Sequence, residues 1–141
     1  ALGYGLAWAC TLGAGAAGNL VEAFLTSPDH TAVGASTAIF GTLGLMASAE
    51  WTRRGKERSP WVRRVAPLFG GAVLFGWLGV GDGSGRVDVL AHATGFTSGA
   101  LLGIAVARLQ LAERFSRGAQ AVTAAAALGV VAFAWFAALR T

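Results

Sequence analysis

Two short stretches carry the residue types that perform acyl transfer. Gly34-Ala35-Ser36-Thr37-Ala38-Ile39-Phe40-Gly41 frames a serine with small residues where a polar segment gives way to an apolar one. Ala91-His92-Ala93-Thr94-Gly95-Phe96-Thr97-Ser98-Gly99 sets a histidine at a similar boundary. A serine hydroxyl is a weak nucleophile until a base within hydrogen-bond reach takes its proton. An imidazole can do so, then return the proton to a leaving amine. Ser36 is therefore the expected nucleophile and His92 the expected general base.

For the two to meet, their helices must approach closely. At 100° per residue His92, Gly95, Gly99 and Gly103 fall within one narrow arc, and Gly41, Gly44 and Ser48 make a comparable small-residue face below Ser36. Such faces let the backbones of membrane helices come nearly into contact. The N–H groups around Ser36 and Thr37, at a helix start, lack intrahelical acceptors and are the expected oxyanion donors.

Composition supplies the setting. Of the 141 residues, 55% are hydrophobic and 13% charged, far from the balance of a soluble domain, and glycine and alanine are scattered through the apolar runs as in packed membrane helices. The net charge of +4 is not that of a nucleic-acid surface, because the arginines are not interleaved with aromatic or polar readers. Arg53, Arg54, Lys56, Arg58, Arg63 and Arg64 crowd one connection, and Arg108, Arg114 and Arg117 another. Asp29, Asp82 and Asp88 occupy the connections between. This alternation follows the positive-inside pattern and makes the loops 52–64 and 108–118 cytoplasmic. The single cysteine, Cys10, lies in an apolar run and is assigned to packing.

In chain order, apolar runs predict an all-α, polytopic transmembrane bundle forming one domain over 1–141, with about five spans: 2–25, 36–51, 65–80, 88–108 and 119–139. The second is short, ~24 Å as a helix. Anchored at Trp51, Arg53 and Arg54, it should start below the outer surface and hold Ser36 at depth. Asn19 and Glu22 lie near the end of the first span, and Ser27-Pro28-Asp29-His30 is a turn. His30 is a rival base, only six residues before Ser36. Asp88 is placed either to cap its helix or to orient His92. Trp77 serves as an interfacial anchor or as a gate for lateral substrate access. The glycine-rich run from Gly79 to Gly85 lacks the lysine-serine ending of a phosphate loop. Neither metal nor cofactor is called for.

Taken together, the Ser36 and His92 stretches resemble the rhomboid family of intramembrane serine proteases. In that family the serine opens the fourth helix and the histidine lies on the sixth, positions that Ser36 and His92 match. Phe40 matches an aromatic position that packs against the catalytic histidine, and Gly34, Thr37, Gly95 and Gly99 are the supporting positions. The resemblance covers nearly the whole chain, from the family's third helix to an added seventh. It implies an integral membrane protein that cleaves transmembrane protein substrates with a Ser-His dyad; the richness in Ala, Gly and Arg suits a bacterial inner membrane. Two departures stand out. Relatives usually have Gly after the serine, where this chain has Thr37. The His-xxx-Asn pair of the family's second helix is missing, and Asn19 belongs to the third helix, so the resemblance implies that two spans precede Ala1 in the whole protein. Two other readings stand beside the protease: a catalytically inactive rhomboid-like protein that binds membrane helices, and a small-solute transporter without a visible inverted repeat.

Overall fold

A computed structural model describes residues 2–26, 35–57, 60–79 and 88–140, all helix and connection, with no strand among them. The helices are α1 (Tyr4–Leu25), α2 (Ser36–Lys56), α3 (Trp61–Leu74) continuing into a π turn (Phe75–Gly79), α4 (Val89–Arg108), the single turn α5 (Leu111–Arg114), and α6 (Arg117–Ala138).

Local chemistry sets several of the ends. Asp88 caps α4, its carboxylate accepting from the Ala91 N–H at 2.9 Å, and the Ser116 hydroxyl oxygen accepts from Ala119 N–H to start α6. Such caps satisfy donors that a helix start leaves open. α2 begins at Ser36 with no side-chain cap. At its other end α2 passes Trp51, where the apolar sequence stops, and continues to Lys56. The added turn is held by Glu50, which accepts from Arg53 and Arg54, each at 2.6 Å, and by an Arg53–Glu57 pair. Contacts at these spacings favour helix. α2 is thus about 31 Å long, and its apolar part rather than its full length is what is short. Between α4 and α6, Gln110 takes a left-handed conformation (φ 53°) and lets α5 break away.

Side-chain contacts fix the helix directions. Thr37 lies against Gly95, Gly44 against Phe96 and Ala100, and Leu45 against Gly103, so α2 and α4 run parallel. Gly18 meets Thr37 and Gly95, Gly15 meets Ala38, and Ala14 meets Gly41, so α1 runs antiparallel to both. These three helices make the core; α3 packs on α2 and α6 on α1. At the end of the bundle where α2 and α4 finish, the Lys56 ammonium donates to the Ala107 carbonyl at 2.9 Å and Arg54 donates to the Arg63 carbonyl at 2.6 Å. Arg53, Arg54, Lys56, Arg63 and Arg108 therefore gather at one end, while Ser36, Asp88 and His92 lie at the other.

Above the basic end, Leu6, Cys10, Leu45 and Val106 form a buried cluster. Gln120 joins α6 to it, its side-chain oxygen accepting from the buried Leu6 N–H at 2.9 Å, with the backbone of Gly5 drawn close to Gln120. Elsewhere the exterior is oily. Phe24, Trp61, Phe133 and Trp135 are each more than two-thirds exposed, as lipid-facing residues are. α4 and α6 are long and apolar enough to cross a membrane by themselves. α1 and α2 match them in length, with 22 and 21 residues.

Candidate functional site

The site is built on one plane of contact. The Thr37 methyl enters a slot between Gly18 of α1 and Gly95 of α4: a Cβ on either glycine would stand within 3.0 Å of it. Nothing larger than hydrogen fits there, which is why a small residue occupies both positions. Below this plane α2 and α4 touch backbone to backbone, since a Cβ on Gly99 would lie 2.5 Å from the carbonyl carbon of Gly41. The two small-residue faces read from the sequence are thus in contact, with every member of His92, Gly95, Gly99, Gly103, Gly41, Gly44 and Ser48 buried.

Ser36 is the first residue of α2 and half-buried, immediately before Thr37. His92 sits in the first turn of α4, 6% exposed, its backbone N–H bonded to the Asp88 carbonyl. Its ring lies over Phe40, 4.3 Å between centroids and tilted by 34°. Phe40 is one turn below Ser36 on the same helix. Phe40 is held in turn by Phe75 of the π turn, edge-on at 5.6 Å, and Phe75 meets Phe96 of α4 at 5.7 Å. The imidazole therefore rests on an aromatic group drawn from α2, the π turn and α4. A π turn widens the helix locally and is common near functional sites; here it brings Phe75 into the aromatic group while Trp77 remains 80% exposed.

Of the other residues raised by the sequence, Asp88 acts as a cap, and Asn19 lies on the exposed side of α1. Gly34, His30 and the residues 80–87 lie outside the described residues. At this end of the bundle, Glu22 and Thr94 are buried polar residues to which the sequence assigns no role. Glu22, only 3% exposed, stands one turn beyond Gly18, at the same end of the core as His92. The signal was its spacing from Gly15 and Gly18 on a small-residue stripe of α1. Thr94, next to Gly95, folds its hydroxyl back onto the Leu90 and Ala91 carbonyls at 3.0 Å, satisfying itself within α4. Among the described residues no group of three His, Cys, Asp or Glu side chains is placed to hold a metal ion.

Because α2 and α4 run parallel, both helix starts point to this end. The positive dipole ends favour negative charge there, which the Asp88 carboxylate supplies at the start of α4 and no side chain of α2 supplies at its own start.

An all-helical bundle with an apolar exterior, a basic end and a glycine-lined inner contact defines a polytopic membrane protein. The family model of the Rhomboid domain matches residues 1–109, from α1 to the end of α4, and the chain belongs to the rhomboid family. α5 and α6 follow the matched region. Comparison with curated proteins and with solved structures returned no match.

Proposed function

We propose that this rhomboid-family membrane protein is an intramembrane serine protease that cleaves transmembrane substrates, with Ser36 as nucleophile and His92 as general base. The observation that supports it best is the packing of the His92 ring on Phe40, which ties the imidazole of α4 to the helix that Ser36 opens. In the mechanism that follows, neutral His92 accepts the Ser36 proton as the hydroxyl oxygen attacks the peptide carbonyl, and the N–H groups of Ser36 and Thr37 receive the oxyanion. The imidazolium protonates the leaving amine. Water then attacks the acyl carbonyl as it gives a proton to His92, and the imidazolium returns that proton to the Ser36 oxygen as its bond to the acyl group breaks. With the basic end on the cytoplasmic side, cleavage occurs toward the outer face of what we take to be a bacterial inner membrane. The purified protein should cleave a helical membrane substrate, and fluorophosphonate should label Ser36. Ser36→Ala and His92→Ala should each abolish cleavage, and retained cleavage in either would refute the assignment.

One observation favours a second reading, a catalytically inactive member that binds membrane helices. Thr37, where relatives usually carry Gly, is 3% exposed with its side chain committed to the Gly18–Gly95 slot, which crowds the residue next to the nucleophile. Under that reading fluorophosphonate leaves Ser36 unlabelled, and Ser36→Ala binds client helices as the unaltered chain does.

A further inference from the structure

The end of the bundle opposite Ser36 and His92 holds a cleft of about 580 Å³ between the last turns of α2 and α4 and the start of α1, a volume typical of small-molecule sites. Its composition is two-sided. Met46 and Val106 supply an apolar wall, while Arg53, Arg54 and Lys56 line it opposite Glu50 and Glu113. Glu57 pairs with Arg53 from outside the lining, so the charges of the whole group cancel in number and what matters is which cation is held by a carboxylate.

The hydrogen bonds set Lys56 apart. Glu50 accepts from Arg53 and Arg54, and Arg53 also pairs with Glu57. Lys56, by contrast, donates to the neutral Ala107 carbonyl. That bond fixes where the ammonium stands without cancelling its charge. It also leaves two of its three N–H donors for another acceptor.

Depth in the membrane follows from the aromatics. Trp51 lies on α2 just before Arg53, with the Arg64 guanidinium 4.9 Å from its ring centroid, and Trp61 at the start of α3 is 74% exposed. Tryptophans of this kind settle at headgroup level, which puts the cleft there too. From it, the 61% exposed Met46 leads along α2 toward the hydrocarbon.

We infer that this cleft binds the phosphodiester headgroup of an anionic phospholipid, with Lys56 as its principal cation and the first acyl carbons against Met46 and Val106. A singly charged phosphodiester gives the Lys56 ammonium the anionic acceptor that the Ala107 carbonyl does not provide, and the apolar wall rewards a lipid but not a free phosphate ion. The inference stands apart from the chemistry at Ser36 and His92.

The test is a titration of the purified protein in neutral detergent with short-chain phosphatidylglycerol, read by native mass spectrometry and by the shift in Tm. Saturable binding of one lipid is expected. It should weaken roughly fivefold in Lys56→Gln, the worth of one cation near an anionic lipid, and be kept in Lys56→Arg. Lys56 is exposed, so both variants should fold, and an unchanged Tm without lipid verifies it. Met46→Ser should weaken the lipid as well. Equal binding of phosphatidylcholine would overturn the charge argument. Competition by inorganic phosphate at similar concentration would make this a free-anion site and overturn the lipid assignment. Unchanged affinity in Lys56→Gln would overturn the inference altogether.

Discussion

Replacing Gly99 by alanine tests the close contact of α2 and α4 on which the proposed chemistry depends. The added methyl would lie 2.5 Å from the carbonyl carbon and 2.8 Å from Cα of Gly41, about 1 Å inside the optimal separation of carbon atoms. Both obstacles are backbone, so no side chain can rotate away. The helices must separate by about that distance. Overpacking of this kind costs about 1–3 kcal/mol, and a misplacement of about 1 Å between reacting groups lowers turnover by about a hundredfold. Gly70 on α3 is the control, because a Cβ there meets nothing within 4 Å. Thermal unfolding in detergent and cleavage of a membrane-embedded substrate should be compared for both variants. Gly99→Ala should fall in Tm and in kcat, with Gly70→Ala near the unaltered chain. A Gly99→Ala protein with unchanged Tm and turnover would show that the two backbones are not in contact and refute the reasoning.

Phe40→Ala removes the ring beneath His92 and should lose about 3–5 kcal/mol of stability together with most activity, whereas Phe40→Leu should recover much of the stability but not kcat; unfolding and kinetics measured together separate the two effects. Gln120→Ala strands the buried Leu6 N–H and should cost about 1–3 kcal/mol, seen as a lower Tm with cleavage per folded molecule unchanged. Thr11 and Thr42 share a hydrogen bond at 3.0 Å between α1 and α2. Thr11→Val should cost only about 0.6 kcal/mol, the usual size of such a bond between membrane helices, and a double-mutant cycle with Thr42→Val measures it.

What the sequence made legible was periodic. Glycines at every third or fourth position mark a face wherever the helix lies, so the contact between the Gly95–Gly103 and Gly41–Ser48 faces follows from spacing alone. The cap at Asp88 is local in the same way. Less visible were features set by neighbours. The last turn of α2 is fixed by a salt-bridge group that straddles the end of the apolar run, from Glu50 to Glu57, and the π turn at Phe75 lies inside a run whose hydropathy is uniform. α5 depends on one left-handed residue, Gln110. Glu22 is a carboxylate in an apolar run; its spacing from Gly15 and Gly18 hints at the inward face, and the approach of Gly18 to Gly95 establishes it. The candidate dyad was reached through residue type and position, and the seating of His92 on Phe40, itself held by Phe75, required three helices to be in place.

The seat of Thr37 has an evolutionary corollary. Three helices share one methyl group's worth of space, so residues 18, 37 and 95 can change only as a set. Exchange of the threonine for glycine alone leaves a hole where α1, α2 and α4 meet, and enlargement of either glycine alone drives the trio apart. Drift at any one of them calls for a compensating change on a different helix, far away in the chain.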